Sequence, residues 1–333
     1  MKFKTLILIF AAILLGPLAA AAQSTATIAE NEAVNSSSET TTRKPAPMKG
    51  DWTKTWSVIV SFNTTLSSNL EHDPVPDPAA GFTPSVTAGY QIKSKRHRVR
   101  FIYGLAASRY TQSTDLNRVG QYFGTSYRIS AGRWNFETEG EAILKGTNED
   151  RETNDQYIAK QKLGYRFDGR TRASIYYAYR IKRYIPAEAD RNAVNPMYGF
   201  KFQREIGQRA QWEIGYRYDE TRAQNARQSY VRSTYDTSVK YKLTKRDTLE
   251  AGFSYKPRLY SRTVRVGDLR VPRHDHKYLW EADLHHNISP RFGFDLGYAY
   301  EKQNSNDPEK LYHDHQFRFT LFFHWGNGDI ITP

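Results

Sequence analysis

From Trp56 to Trp325 the chain alternates apolar and polar residues with a period of two, in fourteen stretches separated by polar segments. Only an extended strand sends successive side chains to opposite faces, so each stretch predicts a β-strand. The last one is the clearest: Phe317, Phe319, Leu321, Phe323 and Trp325 form one row, with Arg318, Thr320 and His324 on the other face. Comparable rows are Trp56, Val58, Val60, Phe62 near the start, Val99, Phe101, Tyr103, Leu105 after it, and Phe292, Phe294, Leu296, Tyr298, Tyr300 near the end. Segments of about ten alternating residues match the length needed to cross a bilayer at a tilt of roughly 45°.

The connections add a second regularity. Short turns fall near Lys95, Gly132, Gly169, Gln208, Lys245 and Pro290, where Gly, Pro or charge clusters. Between them lie longer segments at 67–83, 111–118, 146–154, 185–196, 220–230, 259–276 and 303–313. An even number of strands, with short turns at one end and longer loops at the other, predicts one closed antiparallel transmembrane barrel over residues 52–325. Soluble sandwiches and propellers are disfavoured because the second face of each strand is heavily charged, which suits a water-filled interior and not a shared dry core.

The first residues change the picture of where this barrel would reside. Lys2 and Lys4 precede an uncharged run from Thr5 to Leu15, and Ala20 and Ala22 form a small-residue exit, so residues 1–22 predict a cleaved secretory signal peptide. Residues 23–51 lack apolar periodicity and predict a disordered periplasmic leader, and 326–333 a short tail. Cleavage removes two lysines and no acid, lowering the formal charge from +13 to +11. An exported basic chain meets lipopolysaccharide phosphates and external solutes, so nucleic acid is set aside as a partner. There is no cysteine, hence no disulfide framework and no thiolate-ligated metal. Aromatic residues make up 14 %, with 23 tyrosines, which fits interfacial girdles.

Strand parity sends a polar row inward. The predicted lining comprises Arg98, Arg100, Arg128, Glu137, Glu139, Glu141, Lys160, Lys162, Arg172, Arg180, Lys240, Glu281, Asp283 and Asp295. A constant register across the 146–154 connection would set Glu141 opposite Lys160 and Glu139 opposite Lys162. Such rows serve either as wall ion pairs that fix register or as a transverse field across an aqueous pore, and bases outnumber acids among them. Tyr122 and Tyr176, also inward, offer stacking surfaces for sugars.

Two other chemistries are weighed. His274-Asp275-His276 and His313-Asp314-His315 enter two strands near the outer rim and are weak candidates for a metal, since imidazoles with a carboxylate suit Zn²⁺, Cu²⁺ or Ni²⁺. A hydrolase would need a serine beside a histidine base, and parity sends Ser126, Ser174, Ser254 and His285 inward, yet no Gly-x-Ser-x-Gly occurs. No catalytic set and no cofactor is assigned.

By these rows, Trp56 to Trp325 resembles the monomeric porin-like barrels of the bacterial outer membrane, and the aromatic final strand resembles their C-terminal signal. The resemblance implies passive diffusion of small hydrophilic solutes, with anionic ones such as acidic sugars expected from the basic excess. It also implies contact with outer-membrane lipid and lipopolysaccharide, and handling by the barrel-assembly machinery during biogenesis. The alternatives are an outer-membrane hydrolase of the phospholipase or lipid-deacylase type, or a barrel for assembly or secretion.

Overall fold

A computed structural model describes residues 52–112, 116–147 and 153–327. The expected signal peptide, the leader and the tail beyond Asn327 lie outside the described residues. Fourteen antiparallel strands close on themselves in sequence order. They are β1 (Thr53–Ser67), β2 (Ala79–Lys93), β3 (His97–Tyr110), β4 (Arg118–Ala131), β5 (Trp134–Thr147), β6 (Thr153–Arg166), β7 (Thr171–Arg183), β8 (Ala193–Ile206), β9 (Ala210–Ala223), β10 (Tyr230–Lys242), β11 (Asp247–Val266), β12 (Leu269–Ser289), β13 (Phe292–Ser305) and β14 (Tyr312–Gly326). Among the described residues no helix is long and apolar enough to cross a membrane.

Closure is made by β1 against β14, from Ser57↔Gly326 to Ser67↔Gln316. One residue further, Asn327 accepts a hydrogen bond from the Trp56 N–H through its side chain (2.8 Å) and donates its own N–H to the Trp56 carbonyl (3.2 Å). Closing the sheet leaves no free strand edge, and in lipid each unsatisfied backbone group would cost several kcal/mol.

The outer wall is banded. At the turn end, Trp56 faces Tyr90, Trp134 packs on Tyr165 (ring centroids 4.6 Å) and Phe292 on Phe323 (4.7 Å). Toward the loop end, Tyr235, Tyr255 and Tyr278 stand in register on three adjacent strands, and Tyr216 on β9 and Tyr177 beside Tyr198 on β7 and β8 continue the aromatic rows nearer mid-strand. Between these girdles the outward rows hold Val60, Val86, Phe101, Leu163, Ile175, Ile214, Val239 and Leu296. Two aromatic girdles around an aliphatic band are what a barrel presents to a bilayer, because amphipathic rings settle at the headgroup boundary.

Local chemistry fixes the turns. In the β6–β7 turn, Asp168 accepts the backbone N–H groups of Arg170 (2.7 Å) and Thr171 (2.6 Å), and the Arg170 contact foremost holds its carboxyl below the usual range. Inside the barrel the Tyr176 ring lies against Gly199 on the neighbouring strand. A Cβ at Gly199 would overlap the Tyr176 ring, so Gly199→Ala forces the ring aside. The expected cost is about 1–3 kcal/mol, read from urea unfolding of the refolded barrel; an unchanged midpoint would show that Tyr176 relocates freely.

Two sequence expectations fail, each for a physical reason. The 259–276 segment is not a loop: β11 and β12 continue as a paired ribbon to a two-residue turn at Gly267 and Asp268, where Gly267 adopts φ 59°. The ribbon rises past its neighbours, because β10 pairs only as far as Tyr260 and β13 only from Asp275. The β5–β6 register also differs: Glu137 faces Lys162, Glu139 faces Lys160 and Glu141 faces Ile158. The loop-end pairs Gly146↔Asn154 and Thr147↔Thr153 are already offset by one residue from that register, and a bulge between Ile143 and Gly146, with Lys145 at φ 52°, shifts the strands by one more, which constant counting cannot anticipate.

Candidate functional site

The polar rows converge on the barrel interior, where side chains of all fourteen strands meet. On β3 to β6 the central group is Glu137, whose side chain is fully buried. Arg98 approaches it at 3.2 Å, Arg100 at 3.7 Å, and Arg128 donates to its second oxygen. Period two brings Arg98 and Arg100 to one face of β3, and register places Arg128 directly beside both Arg98 and Glu137. Lys160 reaches Glu139 at 2.8 Å. Glu141 lines a crevice with Glu139, Arg100, Tyr122 and Ser126, and Arg100 donates to the Ser126 hydroxyl at 3.1 Å.

The remaining predicted lining residues also point inward and are similarly engaged. Arg172 pairs with Glu205 (3.2 Å), Arg180 donates to Gln156 (3.4 Å), and Lys240 pairs with Glu250 (3.3 Å). Glu281 and Asp283 share Arg318, at 3.6 and 3.1 Å. Asp295 binds His285 at 2.6 Å. Tyr176 lies beneath Lys160, whose ammonium is 5.3 Å from the ring centroid. Near the turn end solvent reaches this wall: the side chains of Lys240, Asp283 and Asp295 are 36, 35 and 38 % exposed.

The loop end is packed more densely, and sequence reasoning missed most of it. Segment 68–78 turns into the mouth: the Asn69 N–H donates to Asp314 (2.9 Å), and His72 stacks on Tyr312 with ring centroids 4.3 Å apart. The His72 Nε2 stands 3.4 Å from Glu301 and 3.8 Å from Asp314. Glu301 is further held by Lys277 (2.7 Å) and by the Tyr312 hydroxyl (2.6 Å). Across the mouth Arg232 binds Asp219 at 2.9 Å, with Arg217 at 3.6 Å from the same oxygen. Between them runs a ladder of cations and rings. The Arg258 guanidinium lies over Tyr230 (4.6 Å) and donates to the Tyr260 hydroxyl (2.7 Å), while Arg273 covers Tyr260 (4.2 Å) and grips Asp275. Stacking and a directed hydrogen bond both suit the planar guanidinium.

Carrying strand parity past the last apolar residue would have found Arg232, Arg258, Lys277 and Asp314. No sequence signal points to His72, whose segment has no period.

The histidine pairs do not assemble a metal site. Period two turns His274, His276, His313 and His315 to the outer wall and Asp275 and Asp314 to the interior, so imidazoles and carboxylates stand on opposite faces. Among the described residues no group of three or more His, Asp or Glu side chains is arranged to hold a metal ion. The hydrolase alternative lacks a serine set against its base. Asp295 holds the His285 Nδ1 as the orienting acid of a triad would, but the strand partners of His285 are Thr248 and Asp295, and Ser254 lies opposite Leu279. Ser126 accepts from Arg100, and Ser174 faces Gly164 and Lys201.

No protein-family model matches the chain, and no curated protein matches it. Solved structures do. The outer-membrane protein OmpT of Vibrio cholerae superposes with a TM-score of 0.50 at 11 % identity, covering 84 % of this chain and 99 % of that one. The outer-membrane channel DcaP of Acinetobacter baumannii gives 0.50 at 9 % identity, with 84 and 99 % covered. At such identities the likeness concerns the fold: this chain is an outer-membrane type of β-barrel.

Proposed function

We propose that this chain is an outer-membrane channel for passive diffusion of small hydrophilic solutes, with a preference for anions such as acidic sugars. One observation carries the preference: two fully buried acids of the interior are each bracketed by more than one base. Glu137 has three arginines, and Asp219 has Arg217 and Arg232. Arg318, shared by Glu281 and Asp283, and Arg273, shared by Asp275 and Asp307, are the opposite case. A wall that over-neutralises its carboxylates keeps a positive field in a confined space, which replaces part of the hydration an anion loses on entry. The outer girdles support placement in a bilayer, with lipid and lipopolysaccharide around the barrel and the assembly machinery acting on it before insertion.

Reversal potentials in a salt gradient across a planar bilayer test this. Anion preference is expected. Replacing Lys160, Lys162, Arg172 and Arg180 together by glutamine reduces it while the barrel still folds, because the lipid-facing rows are untouched. Cation preference in the parent protein would reject the selectivity, and absence of any conductance would favour a hydrolytic or assembly role.

A further inference from the structure

The outer wall carries one group of chemistry-bearing residues that a channel does not use. On β12, β13 and β14 the outward rows follow the apolar band up to the loop-end tyrosines and there change character. His274 and His276 flank the inward Asp275, His313 and His315 flank the inward Asp314, and Lys302 stands between them, in register with Tyr278 on one side and His313 on the other. On β10 to β12 the same level is held by Tyr235, Tyr255 and Tyr278. The tyrosine ring thus passes into lysine and histidine at the height where headgroups meet the wall.

Two imidazoles are set by girdle phenols. The Tyr255 hydroxyl is 2.7 Å from the His276 Nδ1, with the rings 5° from parallel, and the Tyr298 hydroxyl is 2.9 Å from the His315 Nδ1. With the phenol donating, the ring proton resides on Nε2, leaving an N–H donor on the far side of each ring. His274, His313, His315 and Lys302 are exposed. The acids of these segments, Asp275, Glu301 and Asp314, are all turned inside and occupied by Arg273, Lys277 and the 68–78 segment. The outward rows of β12, β13 and β14 carry no acid at all.

We propose that His274, His276, Lys302, His313 and His315 form a docking site for the phosphate group of an outer-leaflet lipid, whose acyl chains lie along Trp280, Tyr300 and Phe317 below it. An ammonium and several N–H donors, without a competing carboxylate, on a surface that is apolar toward the bilayer centre, match a phosphate attached to a lipid better than a free ion. Free phosphate would find only the donors, and an uncharged lipid only the apolar rows. The inference rests on the outer-membrane placement proposed above.

The test uses the full chain, folded in detergent, titrated with diphosphoryl lipid A, with the same lipid enzymatically dephosphorylated, and with inorganic phosphate. Binding of the phosphorylated lipid at least tenfold tighter than its dephosphorylated form is expected, with no measurable binding of inorganic phosphate. Replacing Lys302 and the four histidines by glutamine should remove that difference while heat-modifiable migration reports an intact barrel. Equal affinity for both lipids overturns the site, and this comparison needs no variant. So does retention of the tenfold preference in the folded variant. Failure of the parent chain to insert into any lipid vesicle would instead strike at the membrane placement itself.

Discussion

Arginine at Phe101 or Leu296 lowers the stability of the vesicle-folded barrel by about 2–4 kcal/mol, whereas arginine at Ser174 or Thr320 changes it by about 0.5 kcal/mol or less. Phe101 and Leu296 point outward within the aliphatic band between the girdles, so a guanidinium there must enter hydrocarbon or drag water in with it. Thr320 points inward and stands in register with Asp295, so its replacement gains a carboxylate partner in a solvated space. Tyr177 separates two explanations. It lies beside Tyr198 at the middle of β7, with Tyr179 and Ile181 beyond it toward the loops, so if hydrocarbon depth and not ring identity sets the cost its replacement should also lose about 2–4 kcal/mol. Equilibrium unfolding in urea, followed by tryptophan fluorescence in vesicles, reads all five variants. Equal losses at Phe101 and Thr320 would reverse the assignment of faces.

Glu137→Gln is expected to cost about 3 kcal/mol, the lower part of the range for removing one partner of a buried ion pair. The carboxylate is fully buried, and its loss leaves Arg98, Arg100 and Arg128 repelling one another on adjacent strands. Their own side chains are 19, 21 and 31 % exposed, and water reaching them holds the cost to the lower end. Removing one arginine as well, in Glu137→Gln with Arg128→Gln, should recover part of the loss, the coupling that a double-mutant cycle isolates. The single variant should also conduct anions with higher preference than the parent. A loss under about 1 kcal/mol would mean that the three guanidiniums find water or other carboxylates once Glu137 is neutral.

How far the sequence carries depends on whether a solvent boundary imposes a period. Within the lipid-facing band every second residue must be apolar, and rows such as Phe317 to Trp325 therefore betray both strand and face. Outside that band the constraint lapses. The hairpin tip escapes on length instead: Thr263-Val264-Arg265-Val266 and Leu269-Arg270-Val271 alternate around the Gly267-Asp268 turn, but each run is too short to be counted as a membrane-crossing strand. The bulge near Lys145 is equally invisible, since it is stabilised by the Asp155 carboxylate accepting the Lys145 N–H at 2.8 Å, a contact across the hairpin with no compositional trace. The inward charges on β3 to β7 were legible by parity, but their partners were not, because partner choice follows register. At the mouth, the folding of 68–78 depends on Asn69, which accepts the Asp73 N–H and donates to its carbonyl, a pattern shared by countless surface turns.

The seam between β14 and β1 has the ladder of an ordinary hairpin and lacks only the covalent turn. Residues 52 and 327 stand at the same rim as the six short turns, already joined through Trp56 and Asn327 by two hydrogen bonds. The barrel is therefore cyclic in everything but its peptide connectivity. A few-residue linker from 327 to 52, with new ends opened at the 224–229 connection, would generate a circular permutant that keeps every strand neighbour. In that permutant β9 and β10 become the last pair to zip, so the order in which the wall is sewn can be changed without altering the wall.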